Sequence, residues 1–134
     1  MNDKNDYTIR SFGLDRPEIE AAAAMHCDEI RGGFLSSLGS RALQPVYTNA
    51  VESQHGALVI GQTVHGAEVC GFLLGTLDTR AFYSDLLRRH WLTCVRRLLL
   101  RVLNPKKAWR LLETLKYGGS RPTHMPAAEL LAMA

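Results

Sequence analysis

Apolar side chains recur along this chain with two different periods, and each period predicts a different kind of element. The most regular region is GALVIGQTVHGAEVCGFLLGTLD, in which residues 58–64 and 69–77 have the composition of two β-strands. The break at 65–67 contains a glycine that can adopt the positive φ of a tight turn. The pattern predicts an antiparallel hairpin, and Gly71 and Gly75 in its second strand predict a β-bulge or a close backbone approach.

The residues before this hairpin begin as a strand and continue as helices. YTIRSF, at 7–12, alternates apolar and polar side chains and predicts a first strand. Asp15 then offers an N-cap, with Pro17 in the first turn and Glu18 three residues after the cap, so a helix is expected from here to about Ile30.

A second helix is predicted between the glycine pair at 32–33 and the hairpin. Its apolar residues follow the 3.6-residue period at Leu43, Val46, Tyr47, Ala50 and Val51. Ser40 could begin this helix, but Pro45 fits comfortably only in the first turn of a helix, which favours a start near Leu43.

After the hairpin the period becomes helical again. Thr79 is expected to cap a long helix, and a second, shorter helix is predicted over 106–117. The chain then reaches PAAELLAMA, which predicts a fourth strand at 127–134. The order β-α-α-β-β-(αα)-β predicts one domain over 1–134 of the α/β (α+β) class, with a mixed, mainly antiparallel sheet and a helical insertion at 79–121.

The composition narrows the class of protein. Hydrophobic residues make up 46% of the chain and charged residues 22%, which excludes disorder throughout. No segment is long and apolar enough to span a bilayer, and the polar N-terminus lacks the pattern of a signal peptide. The three cysteines are scattered, which argues against a disulfide framework and a clustered zinc site, so we expect a cytoplasmic protein without a metal.

The order of elements, with the residues that carry it, resembles the GCN5-related N-acetyltransferase (GNAT) superfamily. The stretch YTIRSFGLDRPEIEAAAAMH is similar to that family's opening strand and first helix, and GGFLSSLGSRALQPVY, at 32–47, to its second helix. The run Val69 to Phe72 resembles a Val-x-Gly-Phe signature in strand three, and AELLAMA resembles strand four. The resemblance implies a partial acyl-CoA N-acyltransferase fold that uses acetyl-CoA to acetylate a primary amine.

The same resemblance nominates the site residues. Glu129, on strand four, corresponds to a general base, and a carboxylate beside an apolar run suits that role. An equal alternative is that Glu129 lies at the exposed start of the strand and has no catalytic role. The backbone of Met133 and Ala134 corresponds to the place where the pantetheine arm and the thioester carbonyl bind. Phe34 and Leu35 correspond to the border of the acceptor pocket, with core packing as the alternative for each.

The family's pyrophosphate loop, Arg/Gln-x-x-Gly-x-Gly/Ala after strand four, has no counterpart in these 134 residues. We therefore expect little or no transferase activity from this chain alone. An alternative is that a second copy or a partner protein covers strand four.

Charge supplies a second hypothesis. Residues 1–79 carry 5 basic and 10 acidic residues, whereas 80–121 carry 11 basic and 2 acidic ones. Such helices can serve a non-catalytic binding protein on nucleic acid, an anionic membrane or a protein partner; a solvated face of an amphipathic helix is the favoured explanation, and nucleic acid is not expected. The five histidines show no metal-ligand spacing.

Overall fold

The computed structural model of this chain describes residues 7–32, 34–65, 68–99, 106, 109 and 129–134. The elements in these ranges follow in the order β1 (Tyr7–Arg10), α1 (Arg16–Glu29), α2 (Phe34–Ser37), α3 (Ser40–Glu52), β2 (Gly56–Thr63), β3 (Val69–Thr76), α4 (Thr79–Leu99) and β4 (Glu129–Met133). The predicted α+β class is confirmed, and all pairings among the described strands are antiparallel. The helix predicted over 106–117 lies outside the described residues, except for Lys106 and Trp109, which are helical.

The four strands form one sheet in the order β1-β2-β3-β4, so β4 lies at one edge of the described sheet. The predicted hairpin is confirmed as β2 and β3, with Ile60 opposite Phe72. A bulge lies next to Gly71, as predicted, because Cys70 has no residue opposite it. A Cβ on Gly71 would stand 3.2 Å from the Ala134 carbonyl oxygen, so the glycine permits close approach of β4.

α1 begins where the sequence predicts. The Asp15 carboxylate accepts from the Glu18 N–H at 3.0 Å, and the Glu18 carboxylate accepts from the Asp15 N–H at 2.8 Å, which forms a capping box. Glu18 is buried and also accepts from Arg10 in β1 and from Gln62 in β2. The Glu18 carboxylate thus links α1 to both β1 and β2.

α3 begins at Ser40, three residues before the predicted start near Leu43. Pro45 therefore lies inside the helix, where it has no N–H to donate to the Arg41 carbonyl. The Arg97 guanidinium of α4 donates to that carbonyl instead. A residue 56 positions away in sequence supplies the hydrogen bond that the proline removes, which local periodicity cannot predict.

α4 begins at Thr79, but its cap differs from the prediction. The Asp78 carboxylate accepts from the Ala81 N–H at 3.0 Å and is the N-cap. Thr79 is buried, with its hydroxyl 2.8 Å from the hydroxyl of Thr76 at the end of β3. Because the Thr79 hydroxyl lies in the interior against Thr76, the preceding residue, Asp78, caps the helix.

The core lies between one face of the sheet and helices α1, α3 and α4. Ala22 and Ala23 are fully buried and let α1 approach the sheet closely. The largest fully buried side chains are those of Tyr47, Phe82, Leu43, Ile60 and Asn49. The opposite face of the described sheet is open, with Ile9, Leu130 and Met133 all more than half exposed.

Candidate functional site

The last residues of β4 present backbone groups along an open strand edge. Phe72 and Ala134 exchange both backbone hydrogen bonds, at 2.7 and 3.2 Å, so they form a hydrogen-bonded pair. Met133, opposite Leu73, is therefore a non-hydrogen-bonded position, whose N–H and C=O point away from β3. Of the two residues predicted to bind the cofactor, Met133 has backbone groups that pair with no strand in the described ranges, whereas the N–H and C=O of Ala134 are both bonded to Phe72.

A bulge interrupts β4 just before this position. Leu74 pairs with Ala132 and Gly75 with Leu130, so Leu131 is an extra residue on β4. Bulges bend a strand and redirect its groups, and they are common beside functional sites. The bulge lies between Glu129 and Met133, so the direction of the strand changes between these two residues.

Glu129, the predicted base, is the first residue of β4, and its backbone pairs with Thr76 at the end of β3. Met133 lies four residues further on. At about 3.3 Å per strand residue the two positions are about 13 Å apart along β4. The carboxylate of Glu129 lies outside the described part of the chain.

A buried polar pair lies directly behind the Ala134 end of β4. The Tyr47 hydroxyl of α3 is 2.8 Å from Nδ1 of His26, near the end of α1, and both residues are buried. The His26 ring stacks on Phe72, with ring centroids 6.1 Å apart. Because Phe72 pairs with Ala134, the imidazole stands one side chain away from the strand that carries the candidate site.

Burial sets the charge of this pair. It lowers the pKa of His26 from its ordinary 6.5, so the imidazole is neutral at pH 7. Burial, with a smaller effect from Cys27, raises the pKa of Tyr47, so the hydroxyl keeps its proton. The pair is therefore a neutral hydrogen bond inside the core, and it adds no charge beneath β4.

The predicted acceptor border, Phe34 and Leu35, opens α2. The Ser36 hydroxyl donates to the carbonyl of Ile30, which ties α2 to the end of α1. Among the described elements α2 contacts α1 and α3. The side chains of Phe34 and Leu35 lie outside the described part.

A separate groove of about 340 Å³ lies on the helical side, between α1, α3 and α4. Arg16 pairs with Glu20 at 2.8 Å, and Nε2 of His90 lies 3.2 Å from the Glu52 carboxylate. Arg97 donates to α3 carbonyl and amide oxygens. These side chains are thus already engaged in contacts between the helices.

The basic helix α4 uses two of its arginines for packing. Arg97 compensates for Pro45, and Arg89 donates to the Glu52 carbonyl at the end of α3, at 3.2 Å. Arg88 and Arg96 are exposed and make no ion pair within the part of the chain that the structure describes. The prediction of a solvated basic face thus fits Arg88 and Arg96, whereas Arg89 and Arg97 contact α3.

The described residues hold no group of three or more histidine, cysteine or acidic side chains that could bind a metal ion. None of the helices in the described ranges is long and apolar enough to cross a membrane.

Sequence reasoning missed two of these groups. It treated Tyr47 as one apolar position of a helix and His26 only as a possible metal ligand, and no local spacing indicates that they meet. The free edge at Met133 follows from strand register, which the sequence does not state. Comparisons of this chain with protein-family models, curated proteins and solved structures found no match.

Proposed function

We propose that this chain carries the thioester-binding strand and the acceptor border of an acetyl-CoA-dependent N-acetyltransferase similar to the GNAT superfamily. Its substrate class would be a primary amine. The observation that carries the proposal is the open edge of β4 at Met133, whose N–H and C=O have no partner strand among the described residues.

The backbone at Met133 fits the part of acetyl-CoA that the proposal assigns to it. The pantetheine arm is a chain of amides, and an amide chain can add to a free strand edge through main-chain hydrogen bonds. The Met133 N–H would donate to a carbonyl oxygen, and its C=O would accept from an amide N–H. The acetyl-CoA itself supplies an activated acyl group, and this edge would hold and orient it.

Glu129 would take a proton from the ammonium form of the acceptor, which must become a neutral amine before it attacks. The separation of about 13 Å along β4 favours proton passage through water over direct contact. Phe34 and Leu35, which open α2, would border the acceptor side, as the resemblance to the GNAT superfamily implies. The neutral His26–Tyr47 pair would support β4 from behind without competing for that proton.

A backbone-specific variant tests the proposal. Met133→Pro removes the outward N–H but no bond to β3, so an edge strand should tolerate it. Met133→Leu keeps the N–H and changes only an exposed side chain. We expect S-acetylpantetheine, the probe without the nucleotide, to bind wild type and Met133→Leu alike, and Met133→Pro at least tenfold more weakly. Equal binding by all three, or no binding by wild type at millimolar probe, would refute the proposal.

The same open edge favours a second candidate, in which another protein chain pairs with β4. Leu130 and Met133 are 59% and 63% exposed, so a partner strand would also cover apolar side chains. Sedimentation equilibrium separates the two candidates. A concentration-dependent dimer that Met133→Pro dissociates would indicate strand pairing, whereas a monomer that binds S-acetylpantetheine would support the transferase.

A further inference from the structure

α4 has a second apolar face, whose side chains are about half exposed. Trp91 follows the fully buried Phe82 by nine residues, which at about 100° per residue puts the two on opposite sides of the helix. Four large apolar side chains lie on or beside that outer side and are 43–59% exposed: Leu87, Trp91, Leu92 and Val95. These four residues form the outer stripe of α4.

The outer stripe lies on a helix with a net positive charge. Arg88 lies between its members and Arg96 beside them, and both are exposed. The one acidic residue of α4, Asp85, lies close enough to Arg88 and Arg89 to interact with them electrostatically, and its carboxylate accepts from the Ser53 hydroxyl of α3 at 2.7 Å. On α3, the Glu52 carboxylate lies 3.2 Å from Nε2 of His90, while Arg89 donates to the Glu52 backbone carbonyl. An anionic partner would therefore meet more arginines than carboxylates on α4, and neither Arg88 nor Arg96 forms an ion pair among the described residues.

From this arrangement we propose that the outer stripe binds the surface of a membrane that contains anionic lipids. The inference is independent of the transferase proposal, because β4 contributes nothing to it. A helix whose exposed side combines tryptophan and leucine with arginine is typical of helices that lie in the lipid interface. Tryptophan and leucine would enter the boundary of the acyl chains, and the arginines would remain among the phosphates.

The shape of the surface favours lipid over a macromolecule that must enclose it. The stripe covers residues 87–95, or about 12 Å of one helix, and it is a ridge. A lipid interface deforms around such a ridge, whereas a protein partner would need a groove built for it. A nucleic acid would use the arginines, but it gives no reason for three aliphatic side chains in the open.

Vesicle binding followed through Trp91 tests the assignment. Trp109→Phe, in the full chain, leaves Trp91 as the single tryptophan. We expect a blue shift of its emission, and co-sedimentation, with vesicles of 30% phosphatidylglycerol in phosphatidylcholine at low salt. Pure phosphatidylcholine should bind at least tenfold more weakly, and each neutralised arginine should lower the partition coefficient about fivefold.

Paired variants separate the stripe from the rest of the surface. Arg88→Gln and Leu92→Ser should each weaken binding about fivefold or more. Their controls, Arg31→Gln and Phe12→Ser, alter an exposed charge and an 89% exposed apolar residue away from α4 and should change it less than twofold. All four positions are exposed, so unfolding midpoints should stay near wild type.

Three results would overturn the inference. The first is no binding, or equal binding to neutral and anionic vesicles. The second is a Trp91 emission that is already blue and shielded from acrylamide without lipid, since other residues of the chain or a second copy would then cover the stripe. The third is salt-dependent binding to a short RNA that Arg88→Gln weakens and Leu92→Ser leaves unchanged, without vesicle binding, since the arginines would then act alone.

Discussion

The hydrogen bond between Tyr47 and His26 gives a sharp test of how the core beneath β4 is held together. Tyr47→Phe deletes one fully buried hydroxyl and leaves the ring, which packs edge-on against Phe72 at 5.6 Å. The loss therefore isolates the bond of 2.8 Å to Nδ1 of His26. A buried polar atom left without its partner costs about 1–3 kcal/mol, against the roughly 5–15 kcal/mol by which domains are stable.

The same pair makes stability depend on pH. Burial lowers the pKa of folded His26 below the 6.5 of the unfolded chain, so the unfolded state binds more protons in that window. Stability from this group is therefore complete above pH 6.5 and falls as the pH drops towards the folded pKa. The slope cannot exceed about 1.4 kcal/mol per pH unit, so the loss at pH 5.5 is at most about 1.4 kcal/mol.

Urea unfolding followed by circular dichroism measures both quantities. At pH 7.5, Tyr47→Phe should lower the free energy of unfolding by about 1–3 kcal/mol, while Tyr7→Phe, at a 54% exposed tyrosine, should stay within about 0.5 kcal/mol of wild type. His26→Gln should flatten the decline between pH 7.5 and 5.5. If Tyr47→Phe matches its control, or if His26→Gln keeps the wild-type pH slope, the pair is not the buried neutral bond described above.

Two further predictions concern the contacts that position the sheet and α4. Gly56→Ala should cost about 1–3 kcal/mol in urea unfolding, because its Cβ would stand 2.6 Å from the backbone of Ala50; Gly32→Ala, which has nothing within 4 Å, is the control, and equal effects would contradict this account. Arg97→Ala should cost about 1 kcal/mol and Arg96→Ala less than about 0.5 kcal/mol, because only Arg97 replaces the bond that Pro45 removes. The difference between the two arginines should shrink in a Pro45→Ala background, and a constant difference would show that the proline is not the cause.

Much of the fold could be predicted because its signals are local. The hairpin and the fourth strand are indicated by short apolar runs of strand composition, and the Asp15 capping box by a spacing of three residues, all of which are local in the sequence. The start of α3 could not be predicted, because the hydrogen bond that Pro45 removes inside the helix is supplied by Arg97, on another element. The cap of α4 was missed for a similar reason, because Thr79 is drawn to Thr76 in the interior.

In the candidate site, too, some features could be predicted from the sequence and others could not. Glu129 and Met133 could be nominated from the sequence, because AELLAMA resembles strand four of the GNAT superfamily, and that resemblance implies their roles. Which backbone groups of β4 are free depends on register, and the sequence did not indicate that Ala134 is occupied by Phe72 while Met133 is open. The His26–Tyr47 pair joins residues 21 positions apart through tertiary packing alone.

The central claim, that the open edge of β4 takes the acyl-carrying arm, is tested most directly at the Met133 amide itself. The chain has 4 methionines, so selective [15N]methionine labelling gives a spectrum with few peaks to assign. On titration with S-acetylpantetheine, we predict a large saturable shift of the Met133 amide, and little change at Met25 in α1. A Met133 amide that does not move at millimolar probe, or that moves no more than Met25, would contradict the account.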